Sequence, residues 1–389
     1  MITSSSETSC DALIVGGGPA GATCAARLRQ QGLSVIILDK ATFPRHKTCG
    51  GWITPPIVRL LKLPIDEYGR ENVAQPITGF RTGVIGGKSP VETNYDAEVS
   101  YGIRRCEFDH YLLKRSGATL RLGEKLNSLE ADSNGWVVNQ EIRTNLIVGA
   151  AGHFCPIAKR LNPDNETRAE VVQAQEVEFL MDDRQQSRCE ISRTIPELYF
   201  CRDLKGYGWC FRKGDWLNVG LGREGEQHLR QHVEAFVEWL RETGRIRFEI
   251  PGPFKGHAYR LYGRSVRQIV SDRILLIGDA LGLASPRSGE GIRQAIESGL
   301  LAAETIVKSN GDYRQSNLQA YADAIQARFG IAGRGSILDR FPQNALNAVA
   351  RGLLRNRFFT RHMLLDRWFL HTNQSELKTS VSKEQAVSS

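Results

Sequence analysis

No run of about 18 consecutive apolar residues occurs in the 389-residue sequence, so no membrane-spanning helix is expected. The N-terminal stretch lacks the basic region, apolar run and cleavage site of a signal peptide, because its apolar residues lead directly into a glycine turn. None of the eight cysteines, at 10, 24, 49, 106, 155, 189, 201 and 210, forms a C-x-x-C pair or stands at zinc spacing from histidines. Neither a metal site nor a disulfide framework is therefore expected. A chain this long has no need of covalent staples, so the thiols read as reduced and the location as cytoplasmic. Internal repeats are absent. So is the basic and aromatic patterning of nucleic-acid modules, and nucleic acid is not expected as a partner despite a net charge of +8.

What is present begins with a β-turn-α-β unit. Asp11–Val15 is a short apolar strand, Ala20–Gln31 has helical spacing ended by Gly32, and Ser34–Asp39 is a second apolar strand of the kind buried in parallel sheets. Arg81–Tyr101 and Ala169–Gly222 alternate instead. Within them Leu198–Cys201, Tyr207–Phe211 and Trp216–Leu221 read as strands joined by short turns. Gln227–Thr243 is an amphipathic helix with Leu229, Val233, Phe236, Val237 and Leu240 on one face. Arg273–Gly278 returns to a buried strand, and a helix runs from near Gly291 to Lys308. From Ile331 to Leu370 seven arginines face two aspartates, and apolar residues (Leu346, Val349, Leu353, Phe358, Met363, Phe369) recur at irregular three- to five-residue steps. That segment reads as one or two helices, covering the molecule or lying on a membrane surface.

The segment from Gly16 to Gly21 is G-x-G-x-x-G, placed straight after a strand and opening a helix. Gly16 permits the tight turn, Gly18 lets backbone approach a pyrophosphate, and Gly21 lets helix and strand pack closely. Pro19 and Ala20 lie in the first helical turn, whose N–H groups and dipole favour phosphate. Asp39, with Lys40 beside it, ends the second strand and can accept from both ribose hydroxyls of an adenosine. A second signature starts at the Arg273 strand, which ends in Gly278-Asp279. Gly289, Gly291 and Ile292 then open a helix, where N–H groups can face an anion or a ring that becomes anionic on reduction.

This pair of signatures resembles the two FAD motifs of flavoproteins with the p-hydroxybenzoate hydroxylase-like fold. The resemblance implies that Asp279 binds the ribityl chain and that Gly289–Gly291 lie by the pyrophosphate and isoalloxazine. Arg105-Cys-Glu-Phe108-Asp109 matches the R-x-x-F-D segment that starts a helix in this family, with its Arg reaching the flavin. Where the family has G-A-D-G, this chain has Gly149-Ala-Ala151-Gly152, which leaves the electron donor open between NADPH and a ferredoxin or reductase partner. The implied fold is α/β (α+β overall). A Rossmann-like FAD-binding domain (8–80, 101–165, 265–330) carries an inserted antiparallel β-sheet substrate domain (81–100, 166–264) and a helical C-terminal segment (331–375). Residues 1–7 and 376–389 are expected to be disordered.

Two further motifs resemble the geranylgeranyl reductase family. Lys47-Thr-Cys49-Gly50-Gly51 matches its K-x-C-G-G segment, in which the Cys sits near the flavin at the substrate cavity. Tyr207-Gly-Trp209-Cys-Phe211-Arg212 matches its Y-x-W-x-F-P strand except for Arg212. Alternation puts Tyr207, Trp209 and Phe211 on one face, either an aromatic wall for a lipophilic chain or simply core. The implied activity is FAD-dependent reduction of prenyl double bonds, with Cys49 as proton relay or ring neighbour and Tyr207 and Trp209 positioning the chain. The lipophilic substrate and the basic C-terminus would suit peripheral membrane contact. A monooxygenase acting on an aromatic or polyketide-like molecule uses the same fold and stays open on these residues alone.

Overall fold

A computed structural model describes residues 8–163, 171–225, 228–264, 267–330 and 351–378. Five parallel strands form the centre of the first sheet, in the order Ile274–Leu276, Ile142–Gly149, Thr8–Val15, Val35–Asp39 and Thr119–Leu122. Thr8–Val15 lies in the middle, and its Ala12–Ile14 core is fully buried. Helices Pro19–Gln30 and Ile292–Lys308 pack against each other beside this sheet. The first helix is rich in alanine, so the second can approach closely: a Cβ at Gly299 would lie 2.5 Å from the Ala20 carbonyl oxygen. Strands Leu129–Ala131 and Trp136–Val138 extend the sheet as an antiparallel meander from Ile142–Gly149.

The second sheet has seven strands. Val172–Leu180, Gly206–Lys213 and Trp216–Glu224 run antiparallel along nearly their whole length. One pairing departs from the expected all-antiparallel arrangement, because Glu197–Phe200 lies parallel to Arg81–Val84. These two segments are more than a hundred residues apart, so no hairpin fixes their direction. A small third sheet joins Trp52–Ile53, Ser100–Ile103 and Ala74–Ile77. On one face of the seven-stranded sheet lies helix Leu229–Glu242, which buries Leu229, Val233, Phe236 and Leu240 but leaves Val237 only partly covered.

The other face is covered by the C-terminal segment. Thr360–Phe369 is a π-helical stretch, and Leu364, Leu365 and Phe369 are buried against Trp52, Phe80, Leu198 and Phe211. Of the other apolar residues of this segment, Phe358 is 72% exposed and Met363 only partly buried. The segment is pinned along its length. Tyr95 donates to Asp366 at 2.7 Å, Arg328 donates to the Ser375 carbonyl at 2.8 Å, and Arg59 pairs with Glu376. Of the helices expected over 331–375, residues 331–350 lie outside the described residues. Residues 1–7 of the expected disorder lie outside them too, as do 379–389 of the stretch 376–389; residues 376–378 are described, with Glu376 paired to Arg59. No helix among the described residues is long and apolar enough to cross a membrane.

Candidate active site

A cavity of about 680 Å³ runs from the edge of the parallel sheet to the aromatic face of the seven-stranded one. At its first end lie Gly16, Gly18, Pro19, Ala20, Asp39 and Lys40. The Pro19–Gln30 helix begins here with Gly18 at its N-cap, and no side chain caps its first turn. Its free N–H groups therefore face the cavity. The Asp39 carboxylate accepts from the Gly17 N–H at 2.7 Å and the Ala41 N–H at 2.9 Å, tying the glycine turn to the end of the second strand. Gly21 does not line the cavity. A Cβ there would stand 2.0 Å from the Gly16 carbonyl oxygen, so its part is the close packing behind the turn.

The middle of the cavity is built by the second signature. Gly278 lies behind it and donates its N–H to Ser298 at 3.0 Å, while Asp279 faces inward. Gly289, Gly291 and Ile292 line the opposite wall, and helix Ile292–Lys308 likewise starts without a side-chain cap. At Gly289 the Tyr259 hydroxyl sits 2.6 Å from where a Cβ would be, with φ at +69°, which leaves room only for glycine.

Asp279 meets two residues outside the expected set of site residues. His257 Nε2 is 3.8 Å from its Oδ2, and Lys47 Nζ is 2.5 Å from the same His257 nitrogen. Burial works to raise the Asp279 pKa, but the His257 ring beside it and the nearby charges of Lys47 and Arg105 hold it down at about 2. Burial brings Lys47 down to about 8, against the pull of Asp279. His257 is also lowered, chiefly by burial. These shifts have a testable sign. Below about pH 8 both folded and unfolded chains carry the Lys47 proton, and the folded state bears the full penalty of its burial. Between about 8 and 10.5 the unfolded chain holds a proton the folded one has lost, so stability rises with pH there. Lys47→Met is expected to raise the apoprotein melting temperature more at about pH 7 than at about pH 10. Scanning calorimetry at both values checks this, and an equal gain would contradict it.

Arg105 opens helix Arg105–Arg115 and is buried. Its guanidinium grips Asp109 through two bonds of 2.8 and 2.9 Å, close enough to Cys49 for the two side chains to interact electrostatically. Asp109 is thus a pairing residue, joined at 3.4 Å by Arg45, and Phe108 is fully buried core.

At the far end stand Cys49, Trp52, Tyr207 and Trp209. The Tyr207 hydroxyl donates to the Ser288 carbonyl at 2.5 Å, which joins this wall to the Gly289 loop. The Trp209 indole N–H donates to Asn218 at 2.7 Å. The aromatic wall is shorter than the alternation implied. Tyr207 and Trp209 reach the cavity, whereas Phe211 is buried against Trp52 at 5.1 Å between ring centres. Phe369 of the C-terminal segment packs against Tyr207 at 5.5 Å and closes that face.

The residues fit FAD. Two uncapped helix N-termini can receive a diphosphate, Asp39 sits where a ribose hydroxyl can donate, ionised Asp279 can accept from a polyol, and the glycine loop leaves space for a flat ring beside Arg105 and Cys49. Comparison with known proteins agrees. The family model for the FAD binding domain matches residues 9–329. Menaquinone reductase of Mycobacterium tuberculosis is 28% identical over 362 residues, covering 87% of this chain and 86% of that one. Digeranylgeranylglycerophospholipid reductase of Methanococcus vannielii is 26% identical over 378 residues, covering 90% and 92%. A geranylgeranyl bacteriochlorophyll reductase-like protein of Thermoplasma acidophilum shares the fold, with a TM-score of 0.70 at 20% identity over 98% of this chain and 96% of that one. The chain belongs to the FAD-binding-domain family and is an FAD-dependent oxidoreductase.

Proposed function

We propose that the protein reduces carbon–carbon double bonds of a prenyl chain of the geranylgeranyl type, carried on a lipid. The observation that supports this most is the single cavity in which the Cys49 loop and the Tyr207–Trp209 strand meet at one end while the dinucleotide-type turn opens at the other. When bound, reduced FAD supplies two electrons and one hydrogen as hydride. The chain supplies the rest. Gly18, Pro19, Ala20 and the Gly289–Ile292 loop hold the diphosphate and ring, and Asp39 and Asp279 hold the two polyols. Tyr207 and Trp209 give the prenyl chain a dry wall whose ring faces favour cationic character developing on an isolated alkene. Cys49, whose carbonyl is held by Asn218, touches the reacting end of the chain.

Titrating the oxidised holoenzyme with a geranylgeranyl glycerolipid in detergent micelles is expected to shift the flavin absorbance to saturation. The same lipid with a saturated chain shifts it less, and no shift with either would count against the proposal. Cys49→Ala is expected to keep full flavin content and lose about 10- to 100-fold in turnover, the cost of a misplaced reacting group. Unchanged turnover would reduce Cys49 to packing.

The exposed Arg355, Arg357 and Phe358 lie together on the C-terminal segment, outside the residues that cover the sheet. We assign them to peripheral contact with an anionic lipid surface, each arginine contributing about 1 kcal/mol near the headgroups.

A further inference from the structure

Reduction of a double bond needs one proton for each hydride, and the residues placed so far do not identify its source. Behind the Cys49 loop lies a second set of groups. Glu176, on strand Val172–Leu180, is 1% exposed, and a carboxylate buried so deeply requires partners. It has two. Asn218 donates its Nδ2 to Oε2 at 2.5 Å, and His46 Nε2 stands 2.9 Å from Oε1. Asn218 is itself fixed, because it accepts from Trp209 at 2.7 Å and donates to the Cys49 carbonyl at 3.1 Å. The His46 side chain is 33% exposed and lines the cavity three residues before Cys49.

We propose that His46, oriented by Glu176, delivers the proton for the reduction; this rests on the prenyl-reductase reading. With Nε2–H directed at the carboxylate, the ring orientation is fixed and its other nitrogen is left to exchange a proton. The other groups around the cavity are less suited. Burial pushes the Tyr207 and Tyr259 hydroxyls upward, Lys47 is engaged by His257, and Arg45 and Arg105 pair with Asp109. The step balances. The π bond breaks, one new C–H bond takes the hydride supplied by the reduced cofactor, and the other takes the proton leaving His46. His46 is left neutral and regains a proton from water on its exposed side. His46 is the proton donor, and Glu176 and Asn218 are positioning residues.

The test uses the holoenzyme and its His46→Gln and Glu176→Gln variants. All three are expected to bind FAD equally and to be reduced by dithionite alike. In anaerobic single turnover with a geranylgeranyl glycerolipid in micelles, His46→Gln is expected to recover flavin absorbance about 100-fold more slowly or worse. Glu176→Gln falls between it and the wild type, and free imidazole restores part of the rate to a His46→Gly variant. ¹⁵N-histidine NMR of the oxidised holoenzyme gives a readout independent of turnover, in which His46 shows the Nε2–H tautomer. A wild type that turns over beside an unaffected His46→Gln overturns the dyad alone, as does an Nδ1–H tautomer. A wild type that fails to reoxidise with the lipid overturns the prenyl reading and the proton assignment together.

Discussion

Asp279→Ala is expected to purify with almost no flavin. The carboxyl is ionised throughout the neutral range because His257, Lys47 and Arg105 outweigh the cost of its burial. It faces the cavity between two helix N-termini, where an acceptor for polyol hydroxyls is needed. Two hydrogen bonds to a charged acceptor contribute about 1.5–3 kcal/mol each, so affinity for FAD should fall on the order of a thousand-fold. The substitution also leaves Lys47 and His257 without their counter-charge, and cofactor binding then no longer offsets their burial. Asp279→Asn, which keeps an acceptor and loses the charge, is expected to lie between. Flavin content by absorbance after purification is the check, and an alanine variant with a full complement of FAD would remove Asp279 from the cofactor site.

Gly21→Val should be more severe, since it acts on the fold and the site together. A Cβ at residue 21 would meet the Gly16 carbonyl oxygen at 2.0 Å and Ile14 Cγ2 at 3.2 Å, and these neighbours are backbone and the side chain of a central strand. Relief requires the helix to move away from the strand, which tilts its free N–H groups off the cavity. Overpacking in a tight core costs about 1–3 kcal/mol when side chains can shift. Here backbone must shift, so the loss should reach or exceed the upper end. The variant is expected to bind no detectable FAD and to melt well below the wild type. Normal flavin content and an unchanged melting temperature would contradict the packing role given to Gly21.

The parts legible in the sequence were those written in short, contiguous signals. The Gly16–Gly21 turn and Asp39 depend on neighbours within one β-α-β unit and the Gly278–Asp279 strand end on a single strand–loop–helix stretch, so short contiguous patterns and the resemblance they carry pointed to them. Amphipathic helix Leu229–Glu242 was legible for the same reason. His257 and Tyr259 were missed because strand Lys255–Tyr259 is short and lies at the edge of its sheet. The signal that was there is two-residue spacing, which puts both rings on one face at 6.2 Å between centres. His46 was passed over although it adjoins the quoted Lys47–Gly51 motif, since its meaning comes from Glu176, far off in the chain. The C-terminal segment showed only irregular apolar spacing, and its π-helical winding over Thr360–Phe369, wider than 3.6 residues per turn, is one reason: Leu364, Leu365 and Phe369 face inward along it. The parallel pairing of Glu197–Phe200 with Arg81–Val84 joins distant segments, and nothing local announces it.

The most direct test of the proposed activity is anaerobic. The purified holoenzyme is reduced with one equivalent of dithionite, mixed with a geranylgeranyl glycerolipid in micelles, and followed by flavin absorbance and by the mass of the lipid. The account predicts that oxidised-flavin absorbance returns without oxygen and that the lipid gains two hydrogens for each bond reduced. A flavin that stays reduced until air is admitted, with the lipid mass unchanged, would contradict it.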